Sequence, residues 1–213
     1  MIIPINYICG SALRFHIFFN MPRVKLFDEN EVLTKAMNLF WKQGYSATSV
    51  QDLVSHLGIN RASIYDTFGD KEKLFKKSFA LYRKINIEGL NQFLQSRPDI
   101  KSGFSELFDN AIQEAISDED KKGCFVVNTT TELTPNDESL YEVLETNKQD
   151  FINIFFEYLK KGKESGQLNS NQDLKSLATL FYTLYNGIRV VSKIRPNEKE
   201  LKDSVHLAMT LLV

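Results

Sequence analysis

Arg61, Ala62, Ser63, Tyr65 and Asp66 lie within the six residues "RASIYD". Together they carry donors, acceptors and small surfaces suited to the edges of base pairs. Arg61 can reach guanine or phosphate, the Ala62 methyl can meet a thymine methyl, Ser63 can donate or accept, and Asp66 can accept from cytosine N4. Tyr65 can set its hydroxyl on a phosphate beside the groove. These groups act together only if one face presents them. At helical spacing Ile64 and Phe68 fall on one side, with Ala62 and Asp66 opposite and Ser63 and Tyr65 on the flanks. A short helix with Ile64 and Phe68 turned inward therefore shows the whole set to its surroundings.

So short a helix needs neighbours, because isolated helices below about 12 residues are marginal in water. The flanking sequence supplies them. Asp28 with Glu31 reads as a capping box before Val32, Leu33, Ala36, Leu39 and Phe40, and Gly44 stops that helix. Thr48 with Gln51 reads as a second box before Val50, Leu53, Val54 and Leu57, stopped by Gly58. Asn60 caps the next helix and Gly69 ends it. Asp70 then caps a long helix from Lys71 to about Leu94. Two helices over 49–57 and 60–68 joined by a glycine turn form a helix-turn-helix, with the second as reader. Thr48 and Lys71, at two helix starts, suit phosphates, because free N–H groups and the positive dipole end collect there. Ser49 and Asn60, at the same starts, join the candidate DNA-contacting set. Arg23 and Lys25 precede the first helix as a possible basic arm.

The stretch "FWKQGYSATSVQDLVSHLGINRASIYDTFGDKEKLF" resembles the N-terminal domain of the TetR family of transcriptional repressors. The residues that carry the resemblance are Gly44, Tyr45, Thr48, Ser49, Val50, Gly58, Ile59, Ala62, Ser63, Ile64, Tyr65, Phe68, Lys71, Glu72 and Leu74. Leu57 departs from the alanine usual before the glycine, and Asp66 from the usual histidine or tyrosine. "GCFVVNTTTEL" from Gly123 is similar to a stretch recurring in one subgroup of that family. The resemblance covers about 50 residues. It implies a dimer on double-stranded operator DNA, with a helical C-terminal domain that senses a small-molecule effector.

Residues beyond 95 continue as helices: a stripe of Phe104, Leu107, Phe108, Ala111, Ile112 and Ala115, a long helix from Asp137 capped by Asn136, one from about Gln172 to Ile194, and one over Glu198 to Leu212. The fold class is all-α with about nine helices. The expected division is a non-native or disordered extension at 1–20, with translation starting at Met21. A helix-turn-helix DNA-binding domain follows at 21–72, and a helical effector-binding and dimerisation domain at 73–213. The helix from Gln172 carries two apolar stripes, one for its own core and one for a second subunit. The dimer candidates are Leu180, Thr183, Leu184, Gly187, Val191 and Ile194, with Val205, Ala208, Met209 and Leu212 from the closing helix. Phe104, Phe108, Phe125, Phe155, Tyr182 and Tyr185, with Asn128, Thr129 and Asn186, are the candidate lining of an effector pocket.

Composition narrows the alternatives. The 213 residues carry net charge −1, but 21–95 hold 11 Lys/Arg against 8 Asp/Glu while 96–213 hold 14 against 19. A basic N-terminal unit on an acidic body fits a division of labour. No run of 18 apolar residues suggests a membrane span. Two cysteines, Cys9 and Cys124, suit a reducing cytoplasm, and Cys124 reads as an inert buried thiol. Three scattered histidines build no metal site. No nucleophile, base or phosphate loop accompanies them, so neither an enzyme nor a cofactor is expected. A helical protein-binding adaptor would leave the 61–66 face without a purpose.

Overall fold

The computed structural model describes residues 27–134, 138–168, 171–194 and 196–212. Arg23, Lys25, Asn136 and the 1–20 segment lie outside them. Among the described residues the elements are nine helices: α1 Glu29–Gln43, α2 Val50–Leu57, α3 Arg61–Phe68, α4 Lys71–Gln95, α5 Ile100–Ser117, α6 Phe125–Leu133, α7 Glu138–Glu164, α8 Leu174–Val191 and α9 Glu198–Met209, closed by a 3-10 turn at Thr210–Leu212.

Local chemistry accounts for most of the boundaries. Asp28, Asn60, Asp70, Asp99, Asp173 and Asn197 each accept a backbone N–H at the start of a helix, satisfying donors that the helix itself cannot. At α2 the cap is Ser49, not Thr48. Asp52 N–H donates to Ser49 Oγ at 3.1 Å, and Ser49 N–H donates back to the Asp52 carboxylate at 2.8 Å. Thr48 is committed elsewhere, its hydroxyl donating to Gly44 O at 2.6 Å. Gly58, at φ 69 and ψ 20, takes the left-handed turn between α2 and α3, where a side chain would be strained. α8 starts at Leu174 and ends at Val191, shorter than its apolar pattern suggests.

Two cores share the long helices α4 and α7. The first gathers Val32, Ala36 and Phe40 of α1, Leu53 and Leu57 of α2, Ile64 and Phe68 of α3, and Leu74, Phe75, Phe79 and Tyr82 of α4. Phe125 and Val126 of α6 and Leu140 and Leu144 of α7 complete it. Its centre is a ring cluster: Phe75 lies edge-on to Phe40 at 5.3 Å and to Phe125 at 5.9 Å, a geometry that aromatic quadrupoles favour. The second core joins Leu90 and Leu94 of α4 to α5, α7, α8 and α9, around Phe104, Phe108, Phe155 and Phe181. α4 thus runs from one core into the other. Its first three turns pack with the helix-turn-helix head and its last two with the body.

Candidate nucleic-acid interface

α3 is held by Ile64 and Phe68, both buried, and stands with its other face outward. Arg61, Ala62, Tyr65 and Asp66 are exposed and Ser63 is half-buried, the arrangement the spacing predicts. Arg61 Nε and Nη2 donate to the Tyr65 hydroxyl at 3.1 and 2.9 Å, with the guanidinium carbon 5.2 Å from the ring centroid. Because the Tyr65 oxygen accepts both bonds, its own proton remains for an outside acceptor. Asn60 caps α3, its Oδ1 accepting Ser63 N–H at 2.9 Å. Ser49 is exposed but engaged with Asp52, whose carboxyl is held below its ordinary value by the two Ser49 bonds.

Two predicted contacts change. Thr48 is wholly buried, so it closes the α1–α2 turn and is not available to a phosphate. The Lys71 ammonium lies 4.2 Å over the Tyr45 ring and is half-buried. Burial lowers its pKa, and Glu132 partly opposes the shift. Its role is shared between packing and the outer surface.

Two of the cavities in the body share a wall. The inner one, about 20 Å³, has Tyr82, Cys124, Asn147, Phe151 and Tyr182 in its lining. It holds room for about one water. The outer cleft, about 230 Å³, opens between α4, α5 and α8 against Ile85, Leu90, Phe93, Leu107 and Ala111. Asn86, Tyr185 and Arg189 line both. Burial pulls the Arg189 guanidinium down, but neighbouring Tyr185, Cys124 and Glu114 outweigh it and the net shift is upward. Burial pushes Tyr182 up to about 12 and raises Tyr82 and Tyr185, so all three stay neutral hydroxyls at physiological pH.

A family model described as "Bacterial regulatory proteins, tetR family" matches residues 32–77, and one described as "Tetracyclin repressor-like, C-terminal domain" matches 104–207. The uncharacterized HTH-type transcriptional regulator YezE of Bacillus subtilis (strain 168) is 30% identical over 193 residues, covering 90% of this chain and 100% of the relative. The chain belongs to the TetR family. The HTH-type transcriptional repressor ComR of Escherichia coli (strain K12) is 26% identical over 172 residues, covering 80% of this chain and 82% of its own. Among solved structures, a cysteine mutant of the TetR family transcriptional regulator CifR, complexed with 26-bp double-strand operator DNA, matches with TM-score 0.79 and 29% identity, over 90% of this chain and 100% of that one. The protein is a DNA-binding transcriptional regulator and not an enzyme.

In this TetR-family regulator the head is tied to the body by side chains distant in sequence. Glu132, near the end of α6, accepts Ser46 N–H at 2.7 Å and Tyr45 N–H at 3.1 Å. Trp41 Nε1 donates to Gly123 O at 2.9 Å, and Lys42 pairs with Asp120 at 2.7 Å. Partners 78 to 87 residues away leave no signature in local sequence.

The effector candidates divide. Tyr182, Tyr185 and Asn186 line the inner cavity. Phe104, Phe108 and Phe155 do not; they are the solid centre of the body core. Phe125 and Thr129 are buried, Phe125 within the head-side core, and neither lines a cavity described above. Asn128 instead ties the α5–α6 loop to the end of α8, donating to Lys122 O and accepting from Lys193 at 2.6 Å. Arg189, missed in the sequence, is the cation that lines both cavities, paired with Glu114 in the outer cleft. Its one visible signal is a lone cation inside the apolar run "NGIRVV".

The dimer candidates divide as well. Leu180, Thr183, Val191 and Ile194 are exposed, with Leu184 and Gly187 half-buried beside them. Val205, Met209 and Leu212 are instead buried in the subunit's own body core, because the α9 stripe packs inward on α5. Ala208 is only half-buried. Val190 and Leu207 are exposed as well. No helix among the described residues is long and apolar enough to cross a membrane.

Proposed function

We propose that the protein is a cytoplasmic, homodimeric repressor that a small-molecule inducer releases from its operator. The division at α4 separates a reading head, 21–72, from an effector-binding and dimerising body, 73–213. The observation that carries this reading is α3 itself: a two-turn helix clamped by Ile64 and Phe68 that offers Ala62, Tyr65 and Asp66, with Arg61 already braced on Tyr65. Two such helices on a twofold dimer, one helical turn of DNA apart, match successive major grooves of a palindromic site.

Ser49, Asn60 and Lys71, with Arg23 and Lys25 ahead of α1, are the proposed backbone contacts, and most of the affinity comes from phosphates. The relatives support repression: ComR is a transcriptional repressor by name, and CifR forms a complex with operator DNA. Effector binding in the body favours the form whose two heads are spaced wrongly for adjacent grooves, and α4 carries the change because both cores hold it.

The test is a titration of a palindromic DNA fragment from upstream of the gene, using Arg61→Ala and Tyr65→Ala. Each variant is expected to bind at least about tenfold more weakly than wild type, with affinity falling steeply as salt rises. Wild-type affinity in both variants sinks the assignment of the reading helix.

A further inference from the structure

The outer cleft and the inner cavity meet at Arg189, the one cation in the lining of either. Its side chain is only 14% exposed. Nη2 donates to Glu114 Oε2 at 3.2 Å, and the guanidinium carbon stacks 3.8 Å from the Tyr185 ring centroid. Nη1 is sealed from solvent and has no hydrogen-bond partner. A buried charged donor without an acceptor is unfavourable, so a ligand that brings an acceptor gains from this position before any other contact is counted.

Glu114 does not secure the arginine strongly. Its side chain is 70% exposed, so water competes with Arg189 for the carboxylate. A guanidinium matches a carboxylate in a planar, two-pronged fashion that a neutral amide cannot reproduce. Tyr185, the tyrosine in the cleft lining, stays neutral because burial raises its pKa, and so adds no competing negative charge. Away from Arg189 the cleft turns apolar at Leu90, Phe93 and Leu107. Gly89 widens it further, since nothing lies within 4 Å of the point a Cβ would occupy. A volume of about 230 Å³ falls below the ~300 Å³ at which drug-sized pockets begin. The space suits one ring or a short chain.

We propose that the cleft between α4, α5 and α8 binds a small organic monocarboxylate, its apolar body on Leu90, Phe93 and Leu107 and its carboxylate on Arg189 in place of Glu114. This rests on the reading of the body as the effector domain and names the class of effector. Asn86, Gly89 and Leu90 belong to α4, so a guest here bears on the helix that also packs in the head.

The experiment is calorimetric titration of the full chain, without DNA, using phenylacetate and its neutral isostere phenylacetamide as probes. Wild type, Arg189→Met and Glu114→Gln are compared. The acid is expected to bind wild type at least about tenfold more tightly than the amide. Glu114→Gln is expected to tighten the acid several-fold by removing its rival, a gain that misfolding cannot produce. Arg189→Met is expected to lose the preference for acid over amide. Equal affinity for the two probes in wild type, no binding of the acid up to about 10 mM, or no gain in Glu114→Gln overturns the proposal. Retention of upstream DNA by the same preparation separates the two readings. DNA binding without acid binding sinks this proposal alone, and acid binding without DNA binding sinks the repressor reading alone.

Discussion

Tyr65 uses its ring and its hydroxyl for different tasks. The ring faces the Arg61 guanidinium, while the hydroxyl accepts two Arg61 bonds and keeps a proton to donate. Tyr65→Phe removes the oxygen and leaves the ring, so Arg61 loses its brace without losing its platform. Operator affinity is expected to fall by about 1 kcal/mol, roughly fivefold, in a fluorescence-anisotropy titration. Because the residue is 37% exposed, thermal stability is expected to move by less than about 0.5 kcal/mol.

The acidic caps act at the same scale. Asp52 and Asp173 are held below 3.8 chiefly by the Ser49 and Ser176 hydroxyls, and Asp70 and Asp99 chiefly by the Lys73 and Ser102 backbone N–H groups. With the folded value lowered, the unfolded chain binds more protons. The stabilisation is therefore present above the ordinary value and lost as pH falls through the folded one. Melting temperature is expected to stay level from pH 7 to about 5 and to fall below about pH 4. Asp173→Asn, which keeps a cap acceptor but does not titrate, should make that acid decline shallower.

Among the elements, α6 is the short helix with the widest reach. One of its ends adjoins the inner cavity through Cys124 and Val126, and near the other Glu132 grips the turn after α1. Glu132→Ala is expected to destabilise the protein by about 1–3 kcal/mol, since two backbone donors lose a charged acceptor. Operator affinity should drop as well, because the α1–α2 turn sets the pose of the head. Thermal melts and DNA titration on one preparation check both.

Gly44→Ala reaches the same grip from the other side. At φ +84 an added Cβ would sit 2.8 Å from Glu132 Oε2, so strain and steric conflict coincide and a loss of about 1–3 kcal/mol is expected. These elements also show what the sequence makes legible. Caps such as Asp28, Asn60 and Asp70 are read correctly because a cap and its partner lie within three residues. Thr48 misleads because two adjacent hydroxyls both fit the pattern, and only the folded turn decides which one faces Gly44 O. Glu132 and Arg189 stay hidden because their partners are brought to them by tertiary packing. The aromatic residues given to a pocket fail for a related reason: ring spacing on a helix looks the same whether the rings enclose a space or fill it.

For the molecule as a whole, the proposed homodimer rests on the exposed apolar residues at the end of α8. Val191 and Ile194 are exposed in the protomer, so charging them costs the single subunit little while a partner would meet two desolvated cations. Val191→Lys with Ile194→Lys is expected to convert dimer to monomer in sedimentation and to weaken operator binding at least about tenfold, because each head alone grips half a site. A dimer that survives this change removes α8 from the interface.

The junction between the halves holds the chain's single tryptophan. The Trp41 indole N–H reaches Gly123 O, beside the Cys124 start of α6, and its ring meets Tyr82 at 5.0 Å and Lys122 at 4.8 Å. Emission from one indole reports one place, and here that place is the contact of α1 with α4 and the start of α6. The molecule carries its own unlabelled optical gauge: a shift in wavelength or intensity on adding DNA or a candidate inducer reports a change of surroundings at that contact.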